Sequence, residues 1–141
     1  MKIVFTNGCF DLIHPGHVYF LQAAAMLGDV LYVGLNSDAS VTRLKGPGRP
    51  IYYERHRANM LRELISVSRV YIFDEDTPLK LIRELKPDVL VKGADYQRAD
   101  VVGGDVVEGY GGRVVLADLV PTYSTTATIA AMKPARTGSK S

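Results

Sequence analysis

Residues 3–17 read IVFTNGCFDLIHPGH: an apolar run, a turn ending at Gly8, and HPGH from His14 to His17. The apolar run predicts a buried strand, and Pro15 favours the first position of a helix, where its missing N–H is no loss. Because the two histidines are three residues apart, both imidazoles lie on one side of the helix start. A helix start also offers unpaired N–H groups and a positive dipole end. The stretch therefore predicts a phosphate site and points to nucleotide chemistry.

The same alternation of strand and helix continues along the chain. Runs rich in Val, Ile and Leu predict five strands, near 2–6, 29–35, 70–73, 88–91 and 113–116. Helical patterns are predicted at 15–27, 53–67, 77–86 and in a short last helix beginning near 124. Strands this apolar must be covered on both faces, which predicts an α/β, Rossmann-like, doubly wound parallel five-stranded sheet with helices on both faces. The basic stretch 39–50 is predicted to be a mobile loop.

Polar clusters follow four of the five predicted strands, at 7–17, 36–38, 92–96 and 118–126. In a parallel α/β sheet, ligands bind beyond the carboxyl ends of the strands. The coincidence of these clusters with the strand ends predicts one site at that edge.

Length and composition limit the kinds of protein that this chain can be. Its 141 residues, 47% hydrophobic and 23% charged, suit one soluble domain, which we expect at 1–132, with a disordered tail at 133–141. No apolar run is long enough to span a membrane and no signal segment opens the chain, so a cytoplasmic location is expected. The net charge of +2, without a basic stripe, predicts a small anionic ligand and no nucleic acid.

Other interpretations of the histidine pair remain open: a zinc site, two capping side chains, or chance. Zinc needs further ligands, and His56 and Cys9 are the only other histidine and the only cysteine. A nicotinamide-binding domain is disfavoured, since the first turn lacks G-x-G-x-x-G and Asp38 lies beyond the second strand. With no base beside it other than the histidines, Cys9 is interpreted as a small turn residue.

The stretch Gly8 to His17 resembles the HxGH signature of the cytidylyltransferase-like nucleotidyltransferases. The resemblance implies that both histidines hold the phosphates of the nucleotide during attack on the α-phosphorus. Tyr123-Ser124-Thr125-Thr126 resembles the second signature of that superfamily, a helix cap that grips the β- and γ-phosphates. Hydroxyls and helix N–H groups suit a departing pyrophosphate, whose negative charge grows as the bond breaks.

Four segments, 6–11, 36–46, 73–78 and 90–96, are similar to the bacterial heptose-1-phosphate adenylyltransferases, and the resemblance covers residues 1 to about 132. It implies transfer of AMP from ATP to a sugar 1-phosphate, D-glycero-D-manno-heptose 1-phosphate, giving ADP-heptose and pyrophosphate. It also implies Mg²⁺ and a homodimer. The alternatives are a CTP-dependent cytidylyltransferase acting on an alditol phosphate or a phosphonate, an FMN adenylyltransferase, and a nucleotide-sensing module without catalysis.

The resemblance also implies roles for individual residues. His14, His17 and Lys45 are expected to be catalytic, the lysine as a mobile ammonium closing over the phosphates. Asp11 is expected to orient His14 or to lie near magnesium, unless it is an ordinary turn residue. The acidic run 74–76 is interpreted as helix-start residues rather than metal ligands. Substrate contacts are expected from Asn36, Asp38 and Arg57, and nucleotide contacts from Gly8, Cys9, Phe10, Asp11, Pro15, Gly16, Lys92, Gly93, Asp95, Tyr123, Ser124, Thr125 and Thr126.

Overall fold

In the computed structural model, which describes residues 1–118, five parallel strands form one sheet. The strands are β1 (Ile3–Gly8), β2 (Val30–Asn36), β3 (Arg69–Phe73), β4 (Val89–Gly93) and β5 (Arg113–Ala117). Their spatial order is β3-β2-β1-β4-β5, so the chain first winds outward from β1 in one direction and then in the other. The predicted five-stranded, doubly wound α/β fold is confirmed.

Five helices connect these strands or follow them. They are α1 (Pro15–Ala25), α2 (Asp38–Lys45), α3 (Glu54–Arg62), α4 (Leu79–Leu85) and α5 (Gly104–Gly109), with a 3₁₀ turn at Arg98–Asp100. Among the described residues, none of the helices has the length and apolar character needed to cross a bilayer.

The sheet is buried on both faces because successive side chains of a strand point to opposite sides. On one face Val4 of β1 belongs to a cluster with Leu21 of α1 and Leu61 of α3. On the other face Phe5 of β1 packs in a cluster with Ile82 of α4 and Val107 of α5. The alternation from Val4 to Phe5 thus places helices on both sides of the central strand.

The prediction of a loop at 39–50 is wrong for the first half of that stretch, where the chain forms α2. Ser37 caps this helix by accepting a hydrogen bond from the Ser40 N–H at 3.1 Å. Asp38 lies in the first turn, and Gly46 ends the helix with φ 95°, a left-handed backbone that glycine adopts without strain. Capping and terminal charges therefore define a helix that has too few apolar residues to show a clear periodicity.

Two other helices differ from the prediction. The helix expected at 53–67 ends at Arg62, and Ile65, assigned to its apolar face, is fully exposed. The sequence does not predict helix α5, because its six residues begin and end with glycine, a poor helix former. Packing of Val107 against the sheet stabilises α5 where local propensity does not.

The two neighbours of β1 pair with it over different lengths. The ladder between β1 and β2 runs from Ile3↔Val30 to Gly8↔Leu35, whereas between β1 and β4 it comprises Val4↔Val89 and Phe5↔Leu90. Beyond that point the Thr6 hydroxyl donates to the Val91 carbonyl at 2.7 Å. The sheet therefore opens into a crevice at the carboxyl ends of β1 and β4, where the strand order reverses.

Candidate active site

The two histidines lie at the start of α1, directly beyond β1. His14 is the N-cap, with the extended backbone expected there (φ −134°, ψ 172°), and His17 is the third helical residue, after Pro15 and Gly16. The His14 backbone N–H donates to Nδ1 of His17 at 3.2 Å. The two rings stack with their centroids 3.8 Å apart and their planes 19° apart. Both imidazoles are thus held together at the N-terminus of the helix, as the sequence predicts.

That backbone hydrogen bond determines which ring nitrogen of His17 carries the proton. Because Nδ1 accepts, the proton of the neutral ring is on Nε2, which becomes a donor. Burial, together with the positive charges of His14 and Lys45, lowers the pKa of His17 to about 4. Burial also lowers the pKa of His14. At neutral pH the site therefore offers His17 as a neutral N–H donor beside a helix N-terminus, an arrangement that suits phosphate oxygens.

Phe10 supports the His17 ring from the preceding loop. Its backbone is left-handed, with φ 45°, and its ring centroid lies 5.3 Å from that of His17 at a tilt of 60°. A Cβ placed on Gly8 would lie 3.0 Å from the Phe10 ring. Gly8 therefore leaves the space that Phe10 fills beside His17.

Asp11 anchors a distant segment of the chain. Its carboxylate is buried and accepts the N–H of Ile51 at 2.8 Å and that of Tyr52 at 3.0 Å, and it pairs with Nε of Arg49 at 3.0 Å. Although burial alone would raise the pKa of Asp11, these hydrogen bonds and the Arg49 charge lower it. These contacts fix residues 49–52 against the loop that leads to α1. The predicted roles toward His14 and magnesium stay predictions.

Arg57, expected to touch substrate, lies behind the candidate site, with no exposed surface. Its guanidinium donates to the carbonyls of Cys9 and Asn36, both at 2.8 Å, and to that of Tyr52 at 2.9 Å. It also pairs with Asp38 at 2.8 Å. The structure thus corrects the expected direct contact: Arg57 joins the ends of β1 and β2 to the start of α3.

The two other expected substrate contacts have different surroundings. Asn36, at the end of β2, lines an open cleft while its side-chain amide donates to Ser40 Oγ at 3.0 Å. Asp38 is engaged by Arg57, and its backbone N–H donates to Glu54 at 2.8 Å. Of the two, Asn36 is the one that borders the space where a ligand fits.

This space, which we call the switch-point cleft, lies at the carboxyl ends of β1, β2 and β4 and has a volume of about 350 Å³. Small-molecule sites begin at roughly this size. It brings together five of the residues singled out from the sequence: Gly8, Cys9, Asn36, Lys45 and Lys92. Its other lining residues include Asn7 and Tyr96, which belong to the predicted polar clusters 7–17 and 92–96, and Asp76, Thr77 and Asp100, for which the sequence predicts no ligand contact.

Asn7 and Tyr96 stand within two or three residues of a strand end beside the strand-order reversal, which is why the predicted clusters include them. Asp95, expected to bind nucleotide, is exposed just beyond β4, and Gly93 is buried as the last residue of that strand. The predicted helix cap, Tyr123 to Thr126, and the tail 133–141 lie outside the described residues.

Cys9 lies on the cleft wall but is poorly suited to act as a nucleophile. Burial raises the pKa of its thiol, against the opposing effects of Lys45 and Arg57. Because the thiolate is the reactive form, a raised pKa leaves the side chain unreactive at neutral pH. This agrees with its interpretation as a small turn residue.

Two carboxylates of the acidic run 74–76 contact α2 and its cap. Asp74 accepts from the Ser37 hydroxyl at 2.5 Å, and Asp76 pairs with Arg43 at 2.8 Å, whereas α4 begins only at Leu79. The carboxylates of Asp74 and Asp76 thus have partners in α2 and its cap, whereas that of Glu75 lies 3.9 Å from the Lys80 ammonium of α4. Within residues 1–118 no group of three or more His, Cys, Asp or Glu side chains could hold a metal ion.

Comparisons with known proteins agree with this architecture. The family model described as Cytidylyltransferase-like matches residues 5–134. The chain is 62% identical over 134 residues to "Bifunctional protein HldE" of Gluconobacter oxydans (strain 621H), covering 95% of this chain and 28% of that protein. It is 61% identical over 132 residues to the protein of the same name from Caulobacter vibrioides (strain ATCC 19089 / CIP 103742 / CB 15), covering 94% and 27%. The chain thus spans about a quarter of the length of these curated relatives.

Solved structures show the same fold. The lipopolysaccharide core biosynthesis protein from Thermoplasma volcanium GSS1 is similar with a TM-score of 0.69 and 30% identity, covering 84% of this chain and 96% of that one. Pantothenate synthetase from Thermus thermophilus matches with a TM-score of 0.64 at 14% identity, covering 96% of this chain and 63% of that one. At that identity the second likeness concerns the fold alone.

Proposed function

Because the chain belongs to the cytidylyltransferase-like family, we propose that it transfers AMP from ATP to the phosphate of D-glycero-D-manno-heptose 1-phosphate, releasing pyrophosphate. The observation that carries this proposal is the His14–His17 pair at the N-terminus of α1, with its proton-bearing Nε2. The choice of substrate is supported by the resemblance of four segments to heptose-1-phosphate adenylyltransferases and by the relatives about 60% identical that are named HldE.

The proposed chemistry needs no general base. The second pKa of a phosphate monoester is about 6, so the attacking oxygen is already ionised at neutral pH. The chain must hold two anions in line and neutralise charge as it develops. The helix N-terminus and His17 would hold the nucleotide phosphates, and Lys45, exposed at the end of α2, would close over them from the side.

Magnesium enters this scheme as part of the substrate. Among residues 1–118 no three His, Cys, Asp or Glu side chains form a metal site, and the Asp11 carboxylate is bound by residues 49–52. In this proposal the triphosphate carries the ion into the site, and no step depends on a protein ligand to it. We also propose a homodimer, on the family resemblance alone. Light scattering on the purified chain tests this by measuring its molar mass in solution.

An assay of pyrophosphate release tests the proposed function. ATP and CTP are each combined with heptose 1-phosphate, glycerol phosphate and FMN. We expect release with ATP and heptose 1-phosphate, at a rate well above the other combinations. Faster release with CTP and glycerol phosphate, or with ATP and FMN, would replace this function by one of the alternatives. Nucleotide binding without release from any pair would make the chain a sensing module.

A further inference from the structure

The guanidinium of Arg49 lies against the loop between β1 and α1, where its Nε pairs with the Asp11 carboxylate at 3.0 Å. Within residues 1–118 the Nη2 nitrogen of the same group is buried and has no hydrogen-bond partner. Buried polar groups in folded proteins are nearly always hydrogen-bonded, and a buried donor without an acceptor is costly. The Nη2 donors of Arg49 therefore require an acceptor from elsewhere.

Asp11 does not supply that acceptor, because backbone groups already occupy its carboxylate. An arginine commonly binds a carboxylate through two parallel N–H···O bonds, one to each oxygen. Here Oδ1 of Asp11 accepts the N–H of Ile51 at 2.8 Å and that of Tyr52 at 3.0 Å. Arg49 is thus held through Nε alone, and its Nη2 remains for a ligand.

The surroundings of Arg49 favour an anion as that ligand. Burial raises the pKa of the Cys9 thiol on the same loop, but three cations lower it: Lys45, Arg57 and Arg49. Asp11 acts on this thiol as an anion, and it is already paired with Arg49. Positive charge therefore exceeds negative charge around the loop, and such a field attracts anions.

Because Nη2 is buried, a ligand reaches it only when part of the chain moves aside. The residues before Arg49 allow this movement: Gly46 and Gly48 have φ of 95° and 85°, and a Cβ placed on either would meet no described atom within 4 Å. The residues after Arg49 are fixed, since Asp11 binds the N–H groups of Ile51 and Tyr52. Nε can therefore stay on Asp11 while Nη2 turns toward the ligand.

The position of Arg49 in the chain indicates which anion this is. Its partner Asp11 lies on the loop that leads into His14, the N-cap of α1. On the other side, Arg49 follows Lys45 across the turn 46–48. The proposed function assigns the nucleotide phosphates to the start of α1 and to Lys45, so both connections of Arg49 lead to the triphosphate.

We propose that Arg49 is a further nucleotide-binding residue, whose Nη2 donates to a phosphate oxygen of the bound triphosphate while Asp11 positions the guanidinium. This inference rests on the proposed function for the place of the nucleotide. A guanidinium suits this contact because its planar set of donors matches phosphate oxygens. The sequence predicts no ligand contact for Arg49, which belongs to the stretch 39–50 expected to be a mobile loop.

The test compares Arg49→Met with Arg55→Met, a matched control that removes an exposed arginine of α3. Calorimetry measures the dissociation constants of tripolyphosphate with Mg²⁺, of a non-hydrolysable ATP analogue with Mg²⁺, and of heptose 1-phosphate. We expect Arg49→Met to weaken binding of tripolyphosphate and of the ATP analogue about tenfold or more, and that of heptose 1-phosphate less than about twofold. Arg55→Met should change each constant less than about twofold, because salt screens exposed charges.

Two further variants test the geometry of the pair. An ammonium has no fixed set of paired donors, so Arg49→Lys should recover stability better than it recovers tripolyphosphate binding. Asp11→Asn should weaken tripolyphosphate binding in the wild type but not in Arg49→Met, because Asp11 acts through Arg49. Additive losses in the double variant would refute the positioning role of Asp11.

The outcomes separate this inference from the proposed function. Tripolyphosphate has neither a base nor a sugar, so its binding does not depend on which nucleotide or acceptor the protein uses. Selective loss of tripolyphosphate binding in Arg49→Met, in a chain that transfers CMP instead of AMP, would support the inference and refute the function.

Tripolyphosphate binding that is unchanged in Arg49→Met would overturn the inference. So would equal losses for tripolyphosphate and heptose 1-phosphate, or a wild type that binds neither tripolyphosphate nor the ATP analogue. Near-UV circular dichroism shows whether each variant is folded. If Arg49→Met is not, Arg49→Lys replaces it, with a smaller loss expected that is again confined to tripolyphosphate and the ATP analogue.

Discussion

The backbone N–H of His14 donates to Nδ1 of His17 over 3.2 Å, and this one hydrogen bond has two effects. It satisfies an N–H at the start of α1, as the reciprocal half of a capping box does. It also places the remaining proton of the neutral ring on Nε2. The side chain that stabilises the helix end is thus the same one that we propose as a hydrogen-bond donor to the nucleotide phosphates.

Replacing His17 separates those two effects. His17→Ala removes both the acceptor of the His14 N–H and the proposed hydrogen-bond donor to phosphate. We expect turnover to fall about a hundredfold or more and the free energy of unfolding to fall by about 1 kcal/mol. His17→Gln can still accept the His14 N–H, so it should remain close to wild-type stability but be slow. Pyrophosphate release and urea denaturation measure the two quantities. Turnover equal to the wild type in either variant would dismiss the catalytic assignment.

The lowered pKa of His17 predicts how stability depends on pH. The unfolded chain protonates this ring near its ordinary pKa of 6.5, whereas the folded chain does so only near 4. The unfolded state therefore binds more protons in that interval, and the free energy of unfolding decreases as pH falls through it. His17→Gln should show a smaller decrease between pH 6.5 and 4 in urea titrations. Parallel curves for the two proteins would contradict the prediction.

Asp11 affects the pH dependence of stability in a more acidic interval than His17 does. Its pKa lies below the ordinary value of 3.8, so the stabilisation it provides is present above that value and is lost as pH falls through the lower, folded-state pKa. Asp11→Asn keeps one accepting oxygen but has no charge to lose, and its stability deficit relative to the wild type should shrink as pH falls below 3.8. Hydrogen exchange in Asp11→Ala should be faster at the amides of Ile51 and Tyr52. Unchanged exchange there would show that the anchor lies elsewhere.

Arg57 should matter chiefly to folding. Arg57→Met leaves the carbonyls of Cys9, Asn36 and Tyr52 without their guanidinium donors. We expect the free energy of unfolding to fall by about 3 kcal/mol or more. Arg57→Lys retains a cation with three donors and should lose less. Urea denaturation gives both values. A loss below about 1 kcal/mol in Arg57→Met would mean that water replaces these hydrogen bonds.

The strands and the edge that carries the site could be predicted from sequence because their signals are local. Apolar runs such as Ile3 to Phe5 define buried strands, and polar residues directly after them mark the ligand-binding edge. The histidine pair was found for the same reason, since its spacing within one helix turn is visible in the sequence.

The rest depended on contacts between distant residues. Helix α2 is defined by Ser37, Gly46 and the partners that Arg43 finds at 74–76, which no apolar periodicity reveals. Arg57 lies 48 residues from Cys9, and Asp11 lies 40 residues from Ile51. Sequence spacing does not tell whether a charged side chain faces a ligand or is enclosed by carbonyl groups, so Arg57 was placed on the wrong side of the site.

The enclosed guanidinium of Arg57 limits how this protein can be re-engineered. The guanidinium of Arg57 donates to backbone carbonyls of three segments, at Cys9, Asn36 and Tyr52, so a loop transplanted from a homologue must place its carbonyl within reach of the same guanidinium. Exchanging one loop at a time should therefore yield poorly expressed chimeras, whereas exchanging all three together with α3 should not.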